Sequence, residues 1–282
     1  MPLDQLTILA PGLLGASVAL AARERKAAKR VVIWARRSEV RHALVDAKLG
    51  DAVAETAQEA AIGASLVVVA TPVDATVTLV REIASSLSAS AVVTDVGSVK
   101  GEIARQGHAV VKGHAHFVGS HPMAGSEKTG WKHGTANLFE GRTCFVTPLK
   151  SSDPKAVEIV LEFWTALGAK VVSVDPAKHD RIVAHISHLP QIVASALCSF
   201  LSTEDQSWRN YAGGGLRDTT RIAGSDPELW RTILDQNRAE VLSALQGYQV
   251  ELAKLEKALA DKDWKTVVAT LARGKEYRQG VR

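Results

Sequence analysis

Cysteine, membrane-length apolar runs and charge of one sign are all scarce in this chain. Among its 282 residues there are two cysteines, Cys144 and Cys198, far apart and in neither metal nor redox spacing. That excludes a disulfide scaffold and fits a reducing compartment, so a cytoplasmic location is expected. No apolar run approaches the roughly 20 residues of a membrane span. Met1-Pro2-Leu3-Asp4 lacks the basic start of a secretory signal, and the apolar run after it is broken by Pro11 and Gly12. The formal net charge of +4 suits a small anionic ligand and does not argue for nucleic acid. The densest basic run, Arg23, Arg25, Lys26, Lys29 and Arg30, falls where the first helix should end and reads as a solvated helix terminus. There is no internal repeat and no low-complexity segment.

What is present is an ordinary globular composition, 46% apolar and 23% charged, in a chain long enough for two filled cores. Short apolar runs at 6–10, 31–34, 66–70, 92–94, 117–118, 144–147 and 171–174 read as buried strands, with helical patterns between them, for example at 16–28, 73–87 and 154–167. Strand–helix alternation predicts a parallel sheet with helices on both faces and a ligand crevice at the carboxyl ends of the strands. The pattern changes at Asp175-Pro176. Beyond it, 179–200, 228–259 and 264–277 have helical spacing, and Gly213-Gly214-Gly215-Leu216-Arg217-Asp218 reads as a loop. Residues 1–175 are thus expected to form an α/β nucleotide-binding domain and 176–282 an all-helical one. The apolar 179–200 helix suggests a subunit interface, an intradomain core being the plainer alternative.

After the first strand, Gly12-Leu13-Leu14-Gly15 is a dinucleotide-type turn, with Ala10 where a first glycine is expected. Gly12 would let the backbone approach a pyrophosphate at the helix N-terminus, and Gly15 would allow close helix packing; a tight structural turn is the other reading. The second strand ends in Trp34-Ala35-Arg36-Arg37-Ser38, with no acid to hold a free ribose hydroxyl. Arginines there chelate a 2′-phosphate, which favours NADP over NAD unless they merely cap a solvated loop. Thr71 and Pro72 would pass near the same cofactor.

Three segments are expected to converge at the strand ends: Asp95-Val96-Gly97-Ser98-Val99-Lys100, Gly119-Ser120-His121-Pro122-Met123-Ala124-Gly125, and His185-Ile186-Ser187-His188-Leu189-Pro190 with Arg217-Asp218-Thr219-Thr220-Arg221. A lone histidine is more often structural than catalytic. His121, expected at a strand end, is nonetheless suited to take a proton from a hydroxyl while hydride leaves the same carbon, with Ser98 bonding that hydroxyl or the imidazole. His179, His185 and His188 invite a metal reading, but no carboxylate-rich partner motif accompanies them and no metal is expected.

Together, Gly12-Leu13-Leu14-Gly15-Ala16-Ser17, Thr94-Asp95-Val96-Gly97-Ser98-Val99-Lys100, Gly119-Ser120-His121-Pro122-Met123-Ala124-Gly125, Ile186-Ser187-His188-Leu189-Pro190 and Gly213-Gly214-Gly215-Leu216-Arg217-Asp218-Thr219-Thr220-Arg221-Ile222-Ala223 resemble the prephenate/arogenate dehydrogenases of tyrosine biosynthesis, in order over nearly the whole chain. The resemblance implies a Rossmann-type domain followed by a helical dimerisation domain, hence a homodimer, and oxidative decarboxylation of a cyclohexadienyl ring. In that reading His121 takes the proton of the ring 4-hydroxyl, and Ser98 places that hydroxyl and the nicotinamide. Arg221 binds a substrate carboxylate, His188 lines the substrate pocket, and Glu127 stands at its mouth. Trp230 is an aromatic position near the substrate, a contribution across the dimer being open. Arg217 stands where another basic residue is often found and takes only an electrostatic role. The chain ends at Arg282, which leaves no place in it for a regulatory or fused mutase domain, so feedback by tyrosine would act at the active site. A 3-hydroxyacid-type dehydrogenase and a non-enzymatic NADP sensor are the competing readings. The first generally uses a lysine at a helix start that is histidine-rich here, and the second has no use for Ser98, His121 and Arg221 together.

Overall fold

The computed structural model describes residues 2–125 and 128–281. Six strands, β1 (Leu3–Leu9), β2 (Ala28–Trp34), β3 (Ala52–Val53), β4 (Leu66–Val69), β5 (Val92–Asp95) and β6 (His116–Phe117), form one sheet in the order β3-β2-β1-β4-β5-β6. All five pairings are parallel. The helices of this half are α1 (Leu13–Glu24), α2 (Ser38–Asp46), α3 (Ala57–Ala61), α4 (Val73–Ile83), α5 (Gly101–Val111) and α6 (Pro154–Ala166). Alternate residues of the strands enter two separate cores. Leu6, Ile8, Leu66 and Val68 pack with α1 and α6, whereas Leu9, Val67 and Val69 pack with α3, α4 and α5. Strands buried on both faces need continuous apolar runs, which is why they were legible as such. Because β1 pairs with both β2 and β4, the chain reverses direction across the sheet beside β1, and the crevice opens after those strands.

The seven expected strands do not share one sheet. The run at 116–122 divides. Val118 N–H still bonds Val93 O in the first sheet (2.9 Å), but β7 (Gly119–Pro122) crosses into a second sheet with β8 (Thr143–Thr147) and β9 (Lys170–Ser173). There β7 runs antiparallel to β8, with His121 opposite Phe145. The crossing needs glycine at 119, since a Cβ there would lie 2.7 Å from Thr147 Oγ1. Ser120 ties the two sheets together: its hydroxyl donates to Asp95 O (2.6 Å) and accepts from the Trp164 indole N–H (2.9 Å). His121 therefore lies within a strand rather than after one. The helix expected over 16–28 also stops early, at Glu24, with Lys26 turned to φ +53°. Arg23 lies in the last turn of α1 as expected, but the rest of the basic run spans a turn and the start of β2, where Arg25 pairs with Glu140 and Lys29 with Asp4.

The remaining chain is helical: α7 (Pro176–Val183), a π-helical turn (Ala184–His188), α8 (Leu189–Leu201), α9 (Gly214–Thr220), α10 (Pro227–Gln236), α11 (Arg238–Ala260) and α12 (Trp264–Gly280). Asp175 caps α7 through Lys178 N–H (2.9 Å), with Pro176 at its first turn. Two expectations change here. The glycine-rich stretch read as a loop begins α9, with Gly213 at its N-terminus. The single pattern at 228–259 breaks at Asn237, whose backbone (φ −111°, ψ 24°) leaves the helix between α10 and α11. Moreover, 176–201 is one 26-residue helical run, long and apolar enough to cross a membrane, contrary to the reading that no stretch approaches that length. Little of it is buried within the chain. Phe200, Leu242, Val250, Leu271 and Tyr277 of the helical half are exposed.

Candidate active site

A cleft of about 610 Å³ opens beyond β1, β2 and β4, lined by Ala10, Pro11, Gly12, Trp34, Arg36, Arg37, Thr71 and Pro72 among others. Ala10 has φ +60°, the left-handed geometry that favours glycine, so the turn keeps the shape that the missing glycine would give. A Cβ on Gly12 would meet nothing within 4 Å, and the backbone there is open to a ligand. On Gly15 it would lie 2.9 Å from the Ala70 Cβ, so this glycine serves helix packing. Leu13 and Leu14 start α1, with Leu14 against the core; neither they, Gly15, Ser38 at the start of α2, nor Gly97 lines the cleft. Gly97 N–H bonds Asp95 Oδ2 (2.9 Å). Arg41 shapes the arginine turn by donating to Ala35 O and Arg36 O (3.0 and 3.1 Å) while paired with Glu55. Arg36 and Arg37 are exposed, with no ion-pair partner among the described residues. Open backbone at a helix N-terminus beside two free guanidinium groups fits a dinucleotide. Trp34 and the acidic Asp74 and Glu82 on the same cleft were not singled out from sequence.

His121 is buried in β7, and its partner is not Ser98. Its Nδ1 lies 2.9 Å from Nε2 of His179, a fully buried ring on α7 that also packs edge-on against Phe145. His179 Nδ1 lies 2.8 Å from Asp180 Oδ1. The Asp180 carboxylate accepts the N–H groups of Lys100 and Gly101 (2.8 Å each), at the N-terminus of α5, where a Gly101 Cβ would lie 2.9 Å from Oδ2. Lys100, itself fully buried, pairs with the buried Asp95.

The proton positions follow. Asp180 Oδ1 accepts, so His179 Nδ1 donates to it. Burial, then the Lys100 charge, hold the His179 pKa below the ordinary histidine value despite Asp180. Its ring is therefore neutral at pH 7, with Nε2 an acceptor. Burial first, then the neighbouring His179, Lys100 and His188, push His121 well below that value too. His121 Nδ1–H thus donates to His179, which leaves the His121 Nε2 lone pair to accept a proton from elsewhere.

His188 is buried, at the end of the π-helical turn, a distortion frequent at functional sites. Trp230 of α10 packs edge-on against it within the same chain (ring centroids 5.8 Å). His185 faces elsewhere, its Nδ1 bonded to Arg181 O (2.8 Å). Arg217 and Arg221 are exposed, on α9 and the turn after it, with no hydrogen bond to His121 or His188. Ser98 is partly buried in the loop after β5. Glu127 lies outside the described residues. His179 and Asp180, missed as site residues, carried one signal: an adjacent His-Asp pair in the first turns after a capped Asp-Pro.

Residues 18–173 match the family model for the prephenate dehydrogenase nucleotide-binding domain, and 175–273 that for the prephenate dehydrogenase dimerization domain. The chain belongs to the prephenate dehydrogenase family. It is 32% identical to the prephenate dehydrogenase of Bacillus subtilis (strain 168) over 284 residues, 99% of this chain and 76% of that protein. The prephenate dehydrogenase of A. aeolicus, solved in complex with hydroxyphenyl propionate and NAD+, superposes with a TM-score of 0.93 at 29% identity, covering 100% of this chain and 99% of that one. Synechocystis arogenate dehydrogenase gives 0.85 at 29% identity, covering 98% and 99%. Membership makes the chain a nicotinamide-dependent oxidoreductase and bears out the fold class and the resemblance stated from the motifs.

Proposed function

We propose that this family member catalyses the oxidative decarboxylation of prephenate to 4-hydroxyphenylpyruvate in tyrosine biosynthesis, with NADP as hydride acceptor. The observation that carries the reading is the relay Asp180–His179–His121, which holds an unprotonated imidazole nitrogen ready for a hydroxyl proton. The dinucleotide supplies, when bound, the acceptor for the hydride that leaves C4 of the ring. Gly12 lies in the turn that would take its pyrophosphate at the N-terminus of α1, with Arg36 and Arg37 at its ribose phosphate and Thr71 and Pro72 flanking it; Leu13, Leu14 and Gly15 build that turn and helix, and Ser38 and Gly97 stand behind the cleft wall. His121 Nε2 takes the 4-hydroxyl proton while Nδ1–H stays on His179, so the developing imidazolium is stabilised by Asp180 through a neutral ring. The bond to the C1 carboxylate breaks, its electron pair completes the aromatic ring, carbon dioxide departs, and the ring oxygen takes back the proton held on His121 Nε2. Aromatisation drives the step, and the protein mainly orients the substrate and supplies one base.

Ser98 would place the hydroxyl, Arg221 a carboxylate, His188 and Trp230 the ring's surroundings, and Arg217 a favourable field for an anion; Glu127 would close the mouth. Residues 1–175 serve as the cofactor domain and 176–282 as the helical one, a division supported by the end of β9 at Ser173 and the capped start of α7. The exposed apolar residues of the helical half support a homodimer. Two free cysteines, Cys144 and Cys198, support a cytoplasmic setting.

Initial rates at 340 nm for prephenate or arogenate with NAD or NADP test the reading. Turnover of prephenate with NADP is expected. A preference for arogenate reassigns the substrate, a preference for NAD refutes the arginine argument, and turnover in no pairing by folded, cofactor-binding protein rejects the proposal.

A further inference from the structure

A second histidine has its proton fixed in the opposite sense. Asn237 sits at the break between α10 and α11, nearly fully buried, and its amide nitrogen lies 2.8 Å from the main-chain oxygen of Asp180 and 3.2 Å from Nδ1 of His188. A carbonyl oxygen only accepts, so the atom facing both partners is the amide NH2, with one hydrogen for each. His188 Nδ1 must then accept, which places the ring proton on Nε2. That N–H is buried in a residue only 1% exposed and has no hydrogen-bond partner among the described residues. A buried donor without an acceptor is costly, and a site keeps one where a ligand oxygen satisfies it.

We propose that Asn237 is a positioning residue that fixes His188 as a donor, through Nε2–H, to an acceptor oxygen of the anionic cyclohexadienyl substrate. The inference rests on the function proposed above. The titratable groups facing the ring are Asp180 and His179 of α7, and His121 of β7 on the far side of His179. Burial outweighs Asp180 and brings the His188 pKa to about 4, so the donor is a neutral ring across the working range. The site thus sets one imidazole as proton acceptor and another as proton donor. Asp180 anchors both, the first through its carboxylate and the second through its backbone oxygen.

Two measurements test this. The first is the nitrogen-15 spectrum of histidine-labelled wild-type protein at pH 7, with the His188 signals assigned by their loss in His188→Gln. Nδ1 unprotonated and Nε2 protonated is expected; an Nδ1–H tautomer or a doubly protonated ring overturns the proposal. The second is the pH profile of Asn237→Asp. A carboxylate at 237 takes an Nδ1–H and raises the ring's pKa. The ring then donates from Nε2 only while charged, and once neutral presents a lone pair to the substrate. The variant-to-wild-type ratio of kcat/KM should fall roughly tenfold or more between pH 6 and pH 9, mostly through KM. A loss constant with pH is what a merely structural role gives and overturns the proposal. The spectrum decides alone if the variant does not fold. Wild-type protein that turns over no cyclohexadienyl substrate sinks the proposed function, while the tautomer is still read independently.

Discussion

At the scale of single residues, three imidazoles are set to different tasks by what stands behind them. His121 is backed by a neutral ring and then a carboxylate, so its outer nitrogen carries a lone pair; His188 is backed by an amide, so its outer nitrogen carries a proton. His121→Asn keeps a polar side chain but loses the base. Its kcat is expected to fall by about 10²–10⁴-fold with cofactor affinity unchanged, as measured by steady-state rates and cofactor titration. A variant within tenfold of wild type would remove His121 from that role. His121 and His188 were legible in the sequence because each stands in a short, ordered motif. His179, Asp180 and Asn237 were not, because their roles arise from bonds spanning 58 and 57 residues that no local pattern encodes. Histidines 179, 185 and 188 grouped naturally by spacing, yet the fold sends 179 to His121, 188 to Asn237 and 185 to the surface.

At the scale of elements, the turn from β1 into α1 keeps a glycine geometry without the glycine. Ala10 at φ +60° is strained, whereas glycine adopts that conformation freely. Ala10→Gly is therefore expected to raise stability by roughly 0.5–1 kcal/mol, read from the midpoint of denaturant unfolding. An unchanged or lowered midpoint would show that the turn is not under strain. The sequence told strands from helices well where burial on both faces made apolar runs continuous, and poorly where an element changes partners. The division of 116–122 between two sheets is set by Gly119 and the Ser120 hydroxyl rather than by hydropathy. The break at Asn237 likewise lies inside an uninterrupted helical periodicity, because what bends the chain there is a side chain reaching for another helix. The glycines at 213–215 looked like a loop because glycine weakens helices, but they form the first turn of α9.

At the scale of the whole molecule, burying three histidines in neutral form ties stability to pH. The pKa of each of His121, His179 and His188 is depressed on folding, so the unfolded chain binds their protons more tightly than the native one. Their contribution is intact above the unfolded histidine pKa of about 6.5 and is lost as pH falls through the native values, by up to about 1.4 kcal/mol per pH unit for each ring. The urea midpoint is expected to hold between pH 8 and pH 7 and to drop markedly by pH 5. A midpoint level down to pH 5 would show that the rings are charged in the folded state.

The same interior has a mechanical side. Asp180 belongs to the helical half, yet its carboxylate is held by the two backbone groups that open α5 of the sheet half, and its own backbone oxygen holds the α10–α11 junction. It is a shared fastening. One side chain and its own peptide group tie the first turn of a sheet-half helix to a junction between two helices of the other half, so the histidines beside it are braced from both sides at once.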